Sequence, residues 1–406
     1  MANNNSGETL LRVEHLCQYF KMGDSVNKAV DNVSFDIKKG EVFGLVGESG
    51  CGKTTTGRSV IKIYDITSGS VYFKGQRICA GTQSYKDAIK EAKQELSKGN
   101  PTEARKKELE EIIRVNTEEI KKAKFDHRHS DEEYAKTLVA QIEAEYAPKL
   151  EAAKGNPDEY KTVTAQYKDA LRVAKKTKLI TKIQMIFQDP IASLNPRMTV
   201  REIISEGLVI NGIRDQKYID EKVYDILETV GLVREHAGRY PHEFSGGQRQ
   251  RIGIARSVIM NPDLLIADEP ISALDVSIQA QVINLLNDLR DKLGLTILFI
   301  AHDLSVVKYF SDRIGVMYFG KMVELATSDE LFAHPLHPYT RSLLSAIPLP
   351  DPHAEKKRVR ITYNSLAEHD YTVDKPSMRE VAPGHFVWCN DTEEKHYKEI
   401  LAQPQE

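Results

Sequence analysis

The chain has 406 residues, of which 41% are hydrophobic and 28% are charged, and its formal net charge is −3. No window approaches the roughly 18 to 20 uninterrupted apolar residues that a membrane span requires, and the first fifteen residues lack the layout of a signal peptide. The near-neutral charge argues against a nucleic-acid-binding protein, for which a basic stripe is expected. Any role at a membrane would therefore depend on a partner.

Short apolar runs alternate with helical patterns from about residue 8 to 80 and again from about 179 to 325. The runs at 42–46, 264–267 and 296–301 have the length and composition of strands that are buried on both faces. The pattern therefore predicts an α/β domain in two sequence segments, with a mostly parallel sheet between layers of helices.

The first of these runs leads into a glycine-rich loop with the pattern G-x-x-x-x-G-K-[ST], and a helical pattern follows it. Glycines let a phosphate approach the backbone N–H groups, and the N-terminus of the helix adds positive charge. We expect Lys53 to reach the β- and γ-phosphates of a nucleotide and the Thr54 hydroxyl to bind Mg²⁺. The expected binding residues are Gly47, Glu48, Ser49, Gly50, Cys51, Gly52, Lys53, Thr54 and Thr55.

A charged segment from about residue 81 to 178 separates the two halves of the α/β pattern. Lys, Glu, Asp and Ala dominate it, and apolar residues recur at helical spacing between Gly-Asn-Pro breakers at 99–101 and 155–157. We expect two or three amphipathic helices, with disorder as the alternative. Because the segment contains no motif that carries chemistry, we interpret it as an insertion.

Polar residues follow three of the apolar runs in the second half of the pattern. The carboxyl ends of parallel strands are where ligands bind in such sheets. We expect Asp268 to hold Mg²⁺ through water, and Glu269 to orient and deprotonate the water that attacks the γ-phosphate. Gln188 would reach Mg²⁺ and that water, and His302 would contact the γ-phosphate and hold the geometry of the water.

A second candidate anion site lies about twenty residues upstream of Glu269, where Ser245, Gly246, Gly247 and Gln248 open a helical pattern. A hydroxyl, free N–H groups and a helix N-terminus are again combined there. Because the glycine-rich loop already surrounds the phosphates from its own side, we infer that this second site acts on a nucleotide held by another copy. The chain is therefore expected to work as half of a dimer.

The third segment, from about 326 to 406, contains a proline-rich turn around one short helix at 334–352 and an apolar island at 385–388. The four cysteines of the chain show no CxxC pair and no metal-ligand spacing, and we expect them to be reduced. They are Cys17, Cys51, Cys79 and Cys389.

Together, the glycine-rich loop, Gln188, the SGGQ run, the LLIADE strand, the SALD run at 272–275 and His302 resemble the nucleotide-binding domain of ABC transporters. Other stretches resemble the oligopeptide/dipeptide permease branch of that family, and within it the F-type ATPase subunit. These stretches are 195–204, 268–286, 299–307 and 334–352, and 355–388 resembles versions from Gram-positive bacteria.

The resemblance implies an ABC-type P-loop domain with a mostly parallel sheet core, an antiparallel β subdomain and a helical subdomain. Residues 8–80 and 179–325 would form this domain, 81–178 a charged helical insertion outside the family core, and 326–406 a C-terminal extension of the oligopeptide-permease type.

The resemblance also implies a head-to-tail pair of ATPase subunits, in which each ATP lies between the P-loop of one subunit and the SGGQ signature of the other. Asp275 would lie in a loop that crosses the interface, and Phe20, or less favourably Tyr19, would stack on adenine. Mg²⁺ is the implied cofactor. The second ATPase subunit is implied to be a homologous D-type subunit, although the residues leave a homodimer open.

The implied partners are two membrane-spanning permease subunits and, through them, an extracellular peptide-binding lipoprotein. The chain would then lie peripherally at the cytoplasmic face of the cell membrane, and the segment 189–206 would contact the coupling helices of the permease. No nucleic-acid partner is expected.

Relatives in this branch can carry a C-terminal cysteine cluster for an iron–sulfur centre, but here Cys389 stands alone, and we expect no cluster.

A structural-maintenance or DNA-repair ATPase is one alternative, although its coils follow the glutamine strand and here the insertion ends before Gln188. A soluble translation-type ATPase is another, although such chains usually carry two nucleotide domains. The assignment of oligopeptides as the transported solute rests on the resemblance alone, and import of dipeptides or of nickel is the alternative.

Overall fold

The computed structural model describes residues 7–98, 101–189, 192–347, 360–372 and 374–402. The strands are β1 (Thr9–Met22), β2 (Ser25–Lys38), β3 (Val42–Val46), β4 (Ser68–Phe73), β5 (Gln76–Ala80), β6 (Ile183–Ile186), β7 (Leu264–Asp268), β8 (Thr296–Ala301), β9 (Arg313–Tyr318), β10 (Lys321–Thr327), β11 (Ser377–Ala382) and β12 (His385–Cys389). The α-helices are α1 (Lys53–Val60), α2 (Gln83–Lys98), α3 (Glu103–Ala153), α4 (Pro157–Lys176), α5 (Val200–Ile210), α6 (Gln216–Thr229), α7 (Gly246–Val258), α8 (Val276–Leu293), α9 (Leu304–Phe310), α10 (Ser328–Ala333), α11 (Pro338–Ser345), α12 (Ser365–Glu368) and α13 (Asp391–Ala402). Among the helices of these ranges, none combines the length and the apolar content needed to cross a bilayer.

An eight-stranded sheet with the order β11-β12-β10-β9-β3-β8-β7-β6 forms the centre of the molecule. Strand β3 pairs in parallel with β8 and β9, and β7 pairs in parallel with β8 and β6. Every residue of β3, β7 and β8 is buried, as expected for strands covered on both faces. The carboxyl ends of β3, β6, β7 and β8 therefore meet at one edge of the sheet, which positions the site.

The central strands agree closely with the apolar runs of the sequence, because continuous burial leaves a continuous apolar signal. Strands β3 and β8 have the predicted bounds, 42–46 and 296–301. Strand β7 continues one residue beyond the predicted run, to Asp268, and β6 ends at Ile186. The predicted α/β class with a mostly parallel core is confirmed.

The two faces of this sheet are covered by different layers. On one face, Leu45 packs with Leu11 and Val71 of a four-stranded antiparallel sheet, whose order is β2-β1-β4-β5. On the other face, Val46 packs with a cluster that includes Ile204 of α5 and residues of α6, α7 and α8. Successive strand residues thus serve opposite layers. The antiparallel β subdomain and the helical subdomain that the resemblance implied are both present.

Helices α2, α3 and α4 make up the charged segment between β5 and β6. Helix α3 has 51 residues and begins at a capped N-terminus, where the Thr102 side chain accepts from the Arg105 N–H. The Tyr146 and Tyr167 rings join α3 to α4, with their centroids 5.5 Å apart. The expected helical insertion is therefore present, as three helices of which α3 contacts both α2 and α4.

Helix α3 is attached to the antiparallel sheet by polar and apolar contacts. Arg77 of β5 pairs with Asp126 at 2.6 Å, and its own side chain is only 7% exposed. Tyr134 lies in the hydrophobic cluster of the antiparallel sheet. Where the chain returns towards β6, the Leu179 N–H donates to Asp131 at 2.8 Å. The insertion is thus docked onto the β subdomain.

Strands β11 and β12 extend the central sheet beyond β10. Strand β12 pairs antiparallel with β10, and β11 pairs antiparallel with β12. The expected limit between the ABC domain and the C-terminal extension, at 325/326, falls inside β10. The extension therefore shares the sheet of the ABC domain and adds a small hydrophobic cluster to it. The members of that cluster are Leu336, Val381, Val387, Cys389 and Tyr397.

Replacing Arg77 by methionine should lower the free energy of unfolding by about 1–3 kcal/mol, because the Asp126 carboxylate would lose its partner in a partly buried position. Urea unfolding followed by circular dichroism measures this change. The control is Arg114→Met on α3, the helix that carries Asp126, since the ion pairs of Arg114 with Glu111 and Glu118 are exposed and should matter little. Equal effects of the two substitutions would show that Arg77 does not anchor the insertion.

Candidate nucleotide-binding site

The glycine-rich loop connects β3 to α1 at the carboxyl edge of the central sheet. Gly47, Gly50 and Gly52 have φ angles of 148°, 82° and 105°, which residues with a side chain rarely adopt. A Cβ atom on Gly47 would lie 2.2 Å from the Met317 carbonyl oxygen, and one on Gly52 would lie 2.2 Å from the Ala29 carbonyl oxygen. The loop is therefore held tightly against β9 and β2, at a distance that only glycine permits.

Lys53, the first residue of α1, is 3% exposed. Its Nζ donates to the carbonyl oxygens of Gly47 and Glu48 at 2.7 and 2.9 Å. The ammonium group is thus held inside the loop by two backbone oxygens. A positive charge in this position, next to a helix N-terminus, favours an anion at the loop.

A cleft of about 310 Å³ opens beside the loop. This volume is at the small end of the range for small-molecule sites, about 300–1,000 Å³. The predicted residues that line it are Phe20, Ser49, Gly50, Gly52, Lys53, Thr54, Thr55, Gln188 and Glu269. The lining that the described residues form does not include Gly47, Glu48 or Cys51, of which Gly47 and Cys51 are buried and Glu48 is exposed.

Of the two aromatic residues proposed for adenine, the structure places Phe20 at the cleft. The Phe20 ring meets the Tyr64 ring edge to face, with centroids 5.3 Å apart. Tyr19 instead donates its hydroxyl to Asp31 at 2.6 Å, and burial together with this bond raises the pKa of Tyr19. Phe20 is therefore the residue available to a base in the cleft.

Thr54 lines the cleft, and its hydroxyl donates to Oδ1 of Asp268 at 2.7 Å, whereas Asp268 itself is not among the described residues that line the cleft. Asp268 is fully buried, and its Oδ2 has no hydrogen-bond partner within the described ranges. Burial raises the pKa of Asp268, against the opposing effect of the Thr54 hydrogen bond. A buried carboxylate oxygen without a partner, beside a hydroxyl, is a donor set that suits Mg²⁺. The residues therefore fit the cofactor that the resemblance implied.

Glu269 follows β7 and is the centre of a polar group. Its Oε2 accepts from Nε2 of Gln188 at 2.8 Å and lies 3.6 Å from Nδ1 of His302. The backbone of Glu269 has a φ of 45°, in the left-handed region, and its N–H donates to the Ile300 carbonyl at 2.9 Å. Such a conformation costs energy and is found preferentially at functional sites. Three residues that follow separate strands are thus brought together.

The SGGQ run begins α7 with a capping box. The Gln248 N–H donates to the Ser245 hydroxyl at 3.4 Å, and the Ser245 N–H donates to the Gln248 side chain at 3.1 Å. Ser245 and Gly246 are exposed. Within the described part of the chain, none of the four SGGQ residues lines the cleft at the P-loop. The two candidate anion sites are therefore separate in one chain.

Asp275 occupies the N-cap position of α8, next to the SGGQ run. Its side chain is exposed and makes no capping hydrogen bond within the described ranges. A Cβ atom on Gly247 would lie 2.7 Å from the Ile278 side chain, so the starts of α7 and α8 pack closely. Val276 beside it is 81% exposed. The SGGQ run and Asp275 thus belong to one exposed surface.

Sequence motifs did not identify part of the cleft. Phe319 lies in the turn between β9 and β10, is 76% exposed, and has a φ of 42°. A large aromatic residue before a glycine in a hairpin turn was the only signal in the sequence. The unpredicted lining residues are Asn27, Lys28, Ala29, Phe319 and Gly320.

Comparison with known protein families gives two matches. The family described as ABC transporter matches residues 30–145 and 137–272, two segments that meet within the helical insertion. The family described as oligopeptide/dipeptide transporter, C-terminal region, matches residues 323–372. The chain belongs to the ABC transporter family, and it is an ATPase.

Several curated relatives are similar over nearly their whole length. The chain is 47% identical to the oligopeptide transport ATP-binding protein OppF of Bacillus subtilis (strain 168), over 96% of this chain and 99% of that protein. It is 43% identical to the oligopeptide transport ATP-binding protein AmiF of Streptococcus pneumoniae, over 97% and 99%. It is 41% identical to the dipeptide transport ATP-binding protein DppF of Lactococcus lactis, over 96% of each.

Solved structures confirm the fold. A dimeric ATP-binding cassette in a post-hydrolysis state with ADP and phosphate matches with a TM-score of 0.50 at 20% identity, over 79% of this chain and 99% of that chain. CbiO1 from Clostridium perfringens matches with a TM-score of 0.51 at 21% identity, over 81% of this chain and 92% of that chain. At such identities the likeness concerns the fold alone.

The raised pKa of Asp268 has a consequence for stability. Ionisation of Asp268 is harder in the folded chain than in the unfolded one, so the ionised form costs stability. Without nucleotide, the wild type should therefore lose stability relative to Asp268→Asn as the pH rises from about 4, the ordinary Asp pKa, through the raised folded pKa. The slope over that interval should be about 1.4 kcal/mol per pH unit.

Urea unfolding of both proteins between pH 4 and 8 measures this difference. Asp24→Asn, which removes the same charge from an exposed turn, is the control and should follow the wild type. A constant difference between wild type and Asp268→Asn across this range would show that Asp268 is ionised equally easily in both states.

Proposed function

We propose that the chain is the ATP-hydrolysing subunit of an oligopeptide importer and works as one half of a dimeric ATPase. The observation that carries the proposal is the arrangement at Glu269, whose carboxylate contacts Gln188 and His302 beside the P-loop. The relatives named oligopeptide transport ATP-binding proteins support the solute class. The match of residues 323–372 supports it as well.

The P-loop and its neighbours would bind the nucleotide. Lys53 would leave the backbone oxygens that hold it and meet the β- and γ-phosphates, and Phe20 would stack on the adenine. Thr54 and Asp268, with Gln188, would hold Mg²⁺. When bound, the ion would neutralise part of the charge on the phosphate oxygens.

Glu269 would act as the general base towards the attacking water. Gln188 donates to one carboxylate oxygen and so fixes the carboxylate, which leaves its other oxygen for the water. His302, whose side chain is 55% exposed, would reach the γ-phosphate from the open side of the cleft. Holding the base and the water in one geometry is the main contribution that a protein makes to phosphoryl transfer.

The SGGQ run would close the cleft of a second subunit. Two features support this arrangement. The cleft is small, and the described residues that line it include none of the SGGQ run. Ser245 and Gly246 are exposed, as is Asp275. In a head-to-tail pair, each ATP would lie between one P-loop and the other subunit's Ser245, Gly246, Gly247 and Gln248. The second subunit would be a homologous D-type ATPase subunit.

Two membrane-spanning permease subunits, fed by an extracellular peptide-binding lipoprotein, would complete the transporter. The chain would lie peripherally at the cytoplasmic face of the membrane. The segment 189–206, of which 190 and 191 lie outside the described residues, would contact the permease. A groove of about 320 Å³ beside it supports this docking, because Phe187, Met260 and the 77% exposed Ile210 line it.

For the C-terminal extension we propose that it holds no iron–sulfur cluster. Cys389 lies buried in β12, and burial raises the pKa of its thiol to about 12. Forming the thiolate that metal ligation requires therefore costs more at Cys389 than at an exposed cysteine, and a single thiol cannot hold a cluster. Cys17, Cys51 and Cys79 are also buried, in other parts of the fold.

A dipeptide importer is the second candidate, because the chain is 41% identical to a dipeptide transport ATP-binding protein. Purification of the assembled transporter, with its subunits identified by mass, gives the partner ATPase directly. Stimulation of ATP hydrolysis by peptides of two to eight residues and by Ni²⁺ then distinguishes oligopeptide, dipeptide and nickel import.

Glu269→Gln should keep ATP binding and lower the rate of hydrolysis by roughly 10²- to 10⁴-fold, because the side chain keeps its size and loses the base. Phosphate release by the assembled transporter and titration with a fluorescent ATP analogue measure the two quantities. Glu228→Gln, an equivalent change at an exposed position of α6, should leave both unchanged. Turnover of Glu269→Gln near the wild-type rate would exclude Glu269 as the base.

Ser245→Arg should abolish hydrolysis in the transporter and leave ATP binding by the isolated chain within about twofold of wild type, because the site serves the partner's nucleotide. Thr102→Arg is the control: it alters another helix N-cap, at the start of α3, and should affect neither quantity. A marked loss of ATP binding by isolated Ser245→Arg would mean that the SGGQ run acts within its own chain.

A further inference from the structure

The C-terminal extension contacts the P-loop directly through Tyr339 of α11. Tyr339 is 2% exposed, and its hydroxyl accepts a hydrogen bond from the Glu48 N–H at 3.0 Å. Glu48 belongs to the glycine-rich loop, 291 residues earlier in the chain. The loop motif contains nothing that predicts this partner.

One peptide group connects this hydrogen bond to the lysine of the P-loop. The Glu48 N–H and the Gly47 carbonyl belong to the same planar peptide unit. The N–H donates to Tyr339, while the carbonyl accepts from Nζ of Lys53 at 2.7 Å. The orientation of this plane therefore places one of the two carbonyl oxygens that hold the ammonium group, and Tyr339 holds the plane from the side opposite the lysine.

A buried polar network fixes the turn that leads into α11. Glu324 of β10 is fully buried, and its carboxylate accepts from the N–H groups of Leu336 and His337 at 2.9 and 3.0 Å. His385 of β12 contacts the same carboxylate at 2.8 Å. The first turn of α11 therefore starts from the central sheet, which gives Tyr339 a rigid support.

His337 caps the N-terminus of α11, two residues before Tyr339. Its Nδ1 accepts the Tyr339 N–H at 3.1 Å. Burial lowers the pKa of His337 to about 3, so the ring is neutral and keeps this acceptor at neutral pH. The rings of His369 and Tyr363 lie against the His337 ring, and the charge of Arg341 on α11 also lowers the pKa of His337.

Aromatic packing holds the Tyr339 ring in place. The ring centroid lies 4.4 Å from that of Tyr318 and 5.6 Å from that of Tyr363. Tyr318 ends β9, directly before the turn in which the Gly320 N–H donates to the Cys51 carbonyl at 3.0 Å. The P-loop is therefore held at two points, by this turn and by the Tyr339 hydroxyl.

We propose that Tyr339 is a positioning residue for ATP binding, through which the C-terminal extension sets the conformation of the P-loop. The proposal rests on the proposed function only in that the cleft binds ATP. Tyr339 acts on the backbone of the loop, so its contribution is the same in the ground state and in the transition state. Uniform binding of this kind changes KM and leaves kcat unaltered.

The test is Tyr339→Phe in the full chain, which removes the hydroxyl and keeps the ring against Tyr318. The Kd of a fluorescent ATP analogue should rise about two- to tenfold, the change expected for loss of one hydrogen bond. In the assembled transporter, the KM for ATP should rise by a similar factor while kcat stays within about twofold. A merely structural role would instead lower the urea midpoint and the fraction of active protein.

Tyr363→Phe is the matched control, because it removes a hydroxyl from the same aromatic group and does not touch the loop. It should leave the Kd and the KM at wild-type values. A wild-type Kd for Tyr339→Phe, or an equal rise for both variants, overturns the proposal. If the assembled wild-type transporter binds ATP but does not hydrolyse it, the hydrolytic function is refuted. The role of Tyr339 is then still decided by the Kd of Tyr339→Phe for the ATP analogue.

Discussion

The hydrogen bond between the Thr54 hydroxyl and the Asp268 carboxylate is the contact on which the site depends. It joins residues 214 positions apart at 2.7 Å. The contact requires β3 and β7 to lie in one parallel sheet with β8 between them, so that their carboxyl ends meet at the same edge. The burial that makes the contact possible also leaves Oδ2 of Asp268 without a partner. Burial of this carboxylate is unfavourable by itself, and a cation bound beside it would offset that cost.

The parts of this structure that were predictable from the sequence are those with a local signal. Buried strands leave apolar runs, and the P-loop needs glycine at Gly47 and Gly52 because a side chain would meet backbone oxygens. The grouping of Gln188, Glu269 and His302 followed from their places after parallel strands. The contacts of Phe319 and Tyr339 were not predictable, because they join distant segments and are made by residue types that usually serve packing.

The two sheets tolerate the long insertion because the chain leaves one sheet and enters the other at edge strands. It departs after β5, at the edge of the antiparallel sheet, and returns before β6, at the edge of the central sheet. The strands that position the P-loop and Asp268 are β3 and β7, and neither β5 nor β6 lies between them. The Arg77–Asp126 pair and the bond from Leu179 to Asp131 fix both ends, so α3 can extend without displacing the site.

The order of the strands also explains why the C-terminal extension reaches the site although its sequence carries no nucleotide motif. Strand β12 adds to β10, and β10 forms a hairpin with β9, whose other neighbour is β3. The extension is therefore built onto β10, which only β9 separates from β3, the strand that leads into the P-loop. A fully buried carboxylate is normally costly, yet Glu324 has two N–H donors and His385 as partners. This arrangement anchors the turn before α11, and rigidity there is what allows one hydroxyl to hold a peptide plane of the P-loop.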